Sequence, residues 1–314
     1  MLQHLRANLW LLLFTLILCC VAYPVVLLAT GQLLFHAHAQ GSMIPGPQGK
    51  SLGSRLIAQP FTGDEYFHPR PSAVSYNASA SGASNWGASN YLLRDRVART
   101  LGPIVKYADG RHVAPDVEKW FRQQPGLVDR WATDHPEVAR AWAAADPAQA
   151  KLIEEWKSAH PALVAREKAA GDKEPAPADL APAYFKNFSR EHPGEWPAGN
   201  GDPLWSVPAV FFERWLEAHA DAPLQSVPAD MVMASGSGLD PHITLKSAHY
   251  QLDRVAGAWA KKANRSLTEV RKAIENILEE KKEAPFGGWF GVPLVNVLEV
   301  NLTLKEQLGR ARAD

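Results

Sequence analysis

Cysteine is nearly absent from this chain of 314 residues: there are two, Cys19 and Cys20, and both lie in an apolar run near the N-terminus. The rest of the chain therefore has no disulfide to stabilise it and no thiol for nucleophilic or redox chemistry.

Net charge is also lacking, because 33 Lys and Arg balance 33 Asp and Glu. This balance gives no indication of nucleic acid or an anionic surface as a partner.

Charge is missing altogether from Ala7 to Thr30. A helix over this run would be about 36 Å long, enough to cross a bilayer core. A cleaved signal peptide is the alternative, since Ala37, His38 and Ala39 match the small-x-small cleavage pattern, but signal peptides have apolar cores of only about 7–15 residues. We predict an uncleaved anchor over residues 1–32, in which Pro24 is tolerated by local adjustment of the helix.

Positive charge around this run is sparse. Arg6 precedes it, and the next basic residue is Lys50. Because basic residues are retained on the cytoplasmic side, we expect the N-terminus to be cytoplasmic. The soluble part would then be extracytoplasmic.

The remainder divides by composition and predicts an α+β fold: one N-terminal transmembrane helix, then a mixed α/β soluble domain interrupted by a mainly helical insertion. Residues 33–106 are rich in turn-forming residues, and residues 227–314 form the second part of the same domain. The insertion, residues 107–226, is rich in Trp and Ala, with prolines suited to the first turns of short helices. Within it, residues 172–184 are rich in Pro and Ala and are predicted to be a linker.

The C-terminal part carries clearer periodicity. Thr244 is expected to cap one helix, and Ser266 with Glu269 forms a capping-box pattern before a second, whose buried face would carry apolar residues from Val270 to Leu278. The stretch LVNVLEVNLTL, residues 294–304, alternates between apolar and polar residues. It is predicted to be a half-buried strand.

Ser237, Asp240 and His242 together raise the possibility of a serine hydrolase. A nucleophile elbow requires glycine two residues either side of the serine, and Ser235 and Leu239 stand there. Triads are also usually assembled from distant parts of a chain. We therefore favour a turn in which Gly236 and Gly238 adopt unusual backbone angles, and keep an anchored extracytoplasmic hydrolase using Ser237 and His242 as the alternative.

Three other patterns have simple interpretations. GPQGKS, residues 46–51, lacks the first glycine of a phosphate-binding loop. His36 and His38 lack a third metal ligand nearby and are interpreted as residues of the membrane interface, so no metal is expected. Arg70, between two prolines, could either dock a partner or make a buried structural pair.

Several stretches, in order, resemble one family, the C subunit of the Kdp potassium-transporting P-type ATPase. They are the single span, GSRLIAQPF, YFHPRPSA, YNASASGASN, VPADMVMASGSGLDPHIT, YQLDRVA and VPLVNVLEVNLTL. The resemblance covers residues 1–106 and 227–308. It marks as partner-contact or structural candidates Gln59, Tyr66, Phe67, Arg70, Pro71, Ser72, Asn85, Asn90, Ser235, Gly236, Ser237, Gly238, Asp240, Pro241 and His242.

The resemblance implies a subunit without chemistry of its own in a potassium uptake complex of the plasma membrane. Its implied partners are a channel-like potassium-binding subunit, an ATP-hydrolysing subunit that holds ATP and Mg, and a small single-span subunit. A family proposal of raised ATP affinity rests partly on a Leu-Ser-x-x-Gln segment, but here Ser266 is followed by Glu269 in place of glutamine. We expect the domain instead to cover the entrance of the potassium pathway and to hold subunits together.

The insertion, residues 107–226, lies outside the resemblance and is expected to emerge from a surface loop and fold largely on itself. Its tryptophans, such as Trp131 and Trp142, are interpreted as core residues, with a docking surface for a partner as the alternative.

Overall fold

The computed structural model describes residues 2–168, 175–197 and 201–309. The chain forms two compact units. The anchor unit comprises residues 1–84 and 228–314, and the inserted unit comprises residues 85–227. The inserted unit thus begins earlier than the insertion expected from residue 107, because the helix before that residue packs within it.

An apolar helix opens the anchor unit. It runs through α1 (Leu2–Ile17), a π-helical turn (Leu18–Ala22) and α2 (Tyr23–Leu34). Over 33 residues its mean hydropathy reaches 2.8 in the most apolar window, none of which is buried, so it is long and apolar enough to span a bilayer. In a regular α-helix Pro24 would leave the carbonyl of Cys20 without its N–H donor, and the proline ring would crowd that carbonyl. The wider π-helical turn at Leu18–Ala22 accommodates both defects.

A short helix and a hairpin follow the span. Helix α3 (His36–Ala39) leads to β1 (Met43–Pro45) and β2 (Ser51–Ser54), which pair antiparallel. Residues 46–50 form the hairpin tip, where Gln48 and Gly49 have positive φ. This stretch therefore lacks the strand-to-helix setting of a phosphate-binding loop.

The inserted unit is helical. Its helices are α4 (Tyr91–Ile104), α5 (Ala114–Arg122), α6 (Leu127–Asp134), α7 (Pro136–Ala145), α8 (Pro147–Ala159), α9 (Pro161–Lys168), α10 (Pro177–Glu191) and α11 (Val207–Ala218). Four of them begin on a proline, where the missing N–H costs nothing. The prediction of a linker over residues 172–184 is wrong for residues 177–184, because these residues form the first part of α10. In this helix Leu180, Tyr184 and Phe185 are buried.

Aromatic side chains fill the core of the inserted unit. Trp131 meets Phe185 edge-to-face with ring centroids 5.0 Å apart, and Trp142 meets the same ring at 4.9 Å. Both indoles are almost fully buried. The prediction that these tryptophans are core residues is confirmed, and such pairs add to the stabilisation that burial itself provides.

Helices α4 and α11 cross closely at Gly102. A Cβ at this position would lie 2.0 Å from the carbonyl oxygen of Pro208. Glycine is therefore required by the close approach of the α11 backbone, and α4 packs chiefly against α11.

The C-terminal half of the anchor unit contains β3 (His242–Thr244), α12 (Leu245–Ala263), α13 (Leu267–Glu280), β4 (Lys282–Glu283), β5 (Leu294–Asn296) and α14 (Val297–Gly309). The sheet order is β3–β5–β4 with antiparallel neighbours. The three helices share one core, in which the predicted face of α13, from Val270 to Leu278, is buried.

Two local predictions for this half need correction. The strand predicted over residues 294–304 ends at Asn296, and α14 follows, because Val297, Val300, Leu304 and Leu308 recur at helical spacing and are buried together. Ser266 stands at the start of α13, but its side chain makes no capping hydrogen bond. The cap predicted at Thr244 is confirmed, since its hydroxyl accepts from the N–H of Ser247 at 3.0 Å.

Candidate functional site

The segments that carry the recognisable motifs meet in the anchor unit around Phe67. The side-chain amide of Asn301 accepts from the N–H of Phe67 at 2.8 Å and donates to its carbonyl at 2.9 Å. Phe67 and Asn301 are each 1% exposed. Asn301 thus replaces the two hydrogen bonds that a neighbouring strand would make, and it ties the YFHPRPSA segment to α14.

Helix α12 holds the same segment from another side. Gln251 accepts from the N–H of His68 at 2.8 Å and donates to its carbonyl at 3.2 Å. Arg254 donates to the carbonyls of Asp64 at 2.8 Å and Tyr66 at 3.0 Å. Asn301, Gln251 and Arg254 lie in stretches that carry the resemblance but are not among the predicted site residues, although a polar residue on an otherwise apolar helix face is a usable signal for such pairing.

Arg70 joins this segment to the SGSGLDPH turn. Its guanidinium lies 3.2 Å from a carboxylate oxygen of Asp240 and 3.4 Å from the carbonyl of Ala234. Arg70 thus makes a structural pair within the chain, whereas its docking of a partner stays a prediction. The pair is partly exposed, so its electrostatic contribution is screened by solvent.

The carboxylate of Asp240 also contacts His242. Asp240 lies 3.3 Å from Nδ1 of His242, whose Nε2 lies 3.7 Å from Glu283 on β4. The hydrogen bond with His242 lowers the pKa of Asp240, and the same bond raises the pKa of His242. The arrangement favours a charged Asp240 and a protonated His242.

A pH dependence of stability follows from this pair. Because the folded-state pKa of His242 lies above its unfolded value, its contribution is complete below about pH 6.5 and is lost as pH rises through the folded pKa. We expect the anchor unit to lose more stability between pH 6 and pH 8 than its His242→Gln variant does.

The measurement is urea-dependent hydrogen exchange of α12 in the full chain, at pH 6 and pH 8. His68, whose pKa burial lowers, contributes the opposite slope to both proteins, so the difference between them isolates His242. Parallel pH profiles would contradict the assignment.

The SGSGLDPH turn is built around Gly238. Its φ is +71°, and its carbonyl accepts from the hydroxyl of Ser72 at 2.6 Å. Pro71 accepts from the N–H of the buried Ser235, and Gly82 donates to the carbonyl of Ser237. Gly236 does not have a positive φ, so the unusual angle expected for it is wrong and only Gly238 has one.

The hydrolase alternative is not supported. The hydroxyl of Ser237 accepts from the N–H of Leu239 at 3.1 Å. Both ring nitrogens of His242 face carboxylates, Asp240 and Glu283. His242 is therefore oriented by the acidic pair and not toward Ser237 as a general base would be.

The other predicted residues are dispersed. Gln59 donates to the carbonyl of Leu52, and Pro241 accepts from the N–H of Val297. Asn85, with positive φ, and Asn90, which caps α4, belong to the inserted unit. Ser266 and Glu269 are exposed at the start of α13. His36 and His38 are both exposed, and Nδ1 of His36 lies 3.1 Å from the side-chain oxygen of Gln32. Within the described residues, no group of three His, Cys, Asp or Glu could hold a metal ion.

Comparisons with known proteins agree on one family. The family model described as KdpC, K+-transporting ATPase, c chain, matches residues 5–119 and 210–306. The curated potassium-transporting ATPase KdpC subunit of Bacillus cereus (strain Q1) is 25% identical over 294 residues, which are 93% of this chain and 90% of that protein. The subunit of the same name from Bacillus anthracis (strain CDC 684 / NRRL 3495) is 25% identical over 292 residues, covering 93% and 89%.

Proposed function

The chain belongs to the KdpC family, whose model matches most of both segments of the anchor unit and extends into both ends of the inserted unit, and we propose that it is an accessory subunit of an ATP-driven potassium uptake complex. It would assemble and stabilise the channel-like, ATP-hydrolysing and small single-span subunits without chemistry of its own. The observation that carries this proposal is the family match over both segments.

The construction of the motif segments supports a scaffolding role. Asn301, Gln251 and Arg254 hold the backbone of residues 64–68, and Arg70 pairs with Asp240. These contacts make a rigid surface from loops, which is what a protein-binding face requires, since ordering loops on binding costs free energy. Gln59, Tyr66 and Ser72 remain candidates for contact with a partner.

The soluble part is proposed to be extracytoplasmic, on the strength of Arg6 before the span. There it would cover the entrance of the potassium pathway. ATP and Mg would then be held by the ATP-hydrolysing subunit in the cytoplasm. The exposed Glu269, in the place of a glutamine, fits this interpretation better than a direct nucleotide contact does.

Assembly is tested by co-purification. We expect the tagged chain, extracted in mild detergent from cells that express the whole system, to bring down three other membrane proteins. Cells lacking only this chain should lose ATP-driven potassium uptake, and uptake should return on re-expression. Retained uptake in the deletion strain would contradict the proposal.

Sidedness needs a separate measurement. Single cysteines at Ser81 and Ser158, in a Cys19→Ala, Cys20→Ala background, are labelled with a membrane-impermeant maleimide. Labelling of intact cells at both positions would support the extracytoplasmic placement. Protection until the cells are opened would reverse it and make an ATP-affinity role the better account.

A further inference from the structure

The loop between β4 and β5 is apolar and exposed. Residues 284–293 read APFGGWFGVP and carry no charge. Trp289 is 84% exposed and Phe290 is 72% exposed. Among the residues after Phe35 whose side-chain exposure the structure describes, no other large apolar side chain is more than 60% exposed. A pair of aromatic rings left this open to water indicates a surface that is covered in the cell.

The backbone of this aromatic loop, residues 285–292, presents the two rings outward. Gly287, Gly288 and Gly291 all have positive φ, between 67° and 86°. Glycine reaches these angles without the steric cost that other residues would incur. The loop therefore follows a tight path in which Trp289 and Phe290 stand between glycines.

The aromatic loop belongs to the unit that carries the membrane span. A short series of hydrogen bonds connects the segment that follows the span to β5, the strand after the loop. After the helix ends at Leu34, the N–H of Ser42 donates to the carbonyl of Ala37, and the N–H of Arg55 donates to the carbonyl of Ser42. Asn296, the last residue of β5, donates to the carbonyl of Arg55 at 2.8 Å. Since Phe290 precedes Asn296 by six residues, its Cα lies within about 22 Å of the Cα of Asn296.

We propose that the aromatic loop inserts into the boundary between lipid headgroups and acyl chains, in the leaflet where the span leaves the bilayer. Trp and Phe favour this boundary, and the absence of charge from residues 284–293 removes the main cost of entering it. The two rings are at least as exposed as the aromatic residues of the span, Trp10 at 63% and Phe14 at 62%.

A lipid occupant is favoured over a partner protein because the span already holds this unit beside a bilayer. Local concentration of the lipid surface is therefore high without any further binding event. The proposal goes beyond the role in the potassium complex, because it requires only that residues 2–34 cross the membrane.

The test uses the full chain with Cys19→Ala, Cys20→Ala and Phe290→Cys, labelled with the dye NBD and reconstituted in phosphatidylcholine/phosphatidylglycerol vesicles. We expect blue-shifted NBD emission that is quenched severalfold more by lipids with a nitroxide on the upper acyl chain than in matched controls. The controls carry the dye at Leu267, another exposed apolar residue of the anchor unit, and at Ser81. Circular dichroism checks that each labelled variant keeps its helix content.

Two results would overturn the proposal. One is a water-like emission at position 290 with no more quenching than at position 267. The other is a dye that becomes shielded only when the remaining transport subunits are added and that nitroxide lipids still fail to quench. This second result would identify a protein surface as the occupant, whatever the co-purification experiment shows.

Discussion

Replacing Asn301 by alanine is expected to lower the free energy of unfolding of the anchor unit by about 2–6 kcal/mol. The substitution removes an amide that makes both hydrogen bonds to the backbone of Phe67, in a site where each residue is 1% exposed. The N–H and carbonyl of Phe67 would then be buried without partners, at about 1–3 kcal/mol each. The measurement is urea-dependent hydrogen exchange of α12 and α14 in the full chain.

A neighbouring residue supplies the control for this prediction. Thr303 lies on the same helix, and its hydroxyl donates to the carbonyl of Glu299 one turn earlier. Thr303→Ala removes a hydrogen bond but leaves no group of another segment unpaired, so we expect a change within about 1 kcal/mol. Equal losses for the two variants would show that the Asn301 pairing is not what stabilises the YFHPRPSA segment.

Replacing Gly238 by alanine is expected to destabilise the anchor unit by about 3 kcal/mol. The φ of +71° costs a residue with a Cβ about 1–2 kcal/mol. The new Cβ would also lie 2.6 Å from a methyl carbon of Val74 and 2.9 Å from the carbonyl oxygen of Gly82, and overpacking of this kind adds about 1–3 kcal/mol. The Ser72–Gly238 contact and the Arg70–Asp240 pair should loosen together.

Gly236→Ala is the matched control, two residues away in the same turn. Its φ is not positive, and a Cβ there would meet no atom within 4 Å. We expect its unfolding free energy to stay within about 0.5 kcal/mol of the unsubstituted chain, as for a surface position without a special contact. Hydrogen exchange of residues 72–82 measures both variants, and a severe loss in Gly236→Ala would contradict the assignment of strain to Gly238.

Apolar periodicity in the sequence predicted secondary structure correctly where the residues that recur are also the ones buried in the fold. Val270, Ile274, Ile277 and Leu278 share the buried face of α13, as their spacing indicates. The pattern failed at residues 297–304, where apolar residues alternate and also recur at helical spacing. Asn301 is a polar residue on the buried face of α14, so it interrupts the apolar helical period in the sequence. Its side chain is paired with Phe67, which lies on a distant segment.

The amino-acid sequence by itself determined the apolar span, the balance of charge, the family and the burial of Trp131 and Trp142, because each of these depends on composition or on residues close together in the chain. Tertiary structure alone decided that Arg70 pairs with Asp240 and that Asn301 pairs with Phe67, across separations of 170 and 234 residues. Such pairs leave no local period, since their stability comes from polar groups that meet only after the helices pack.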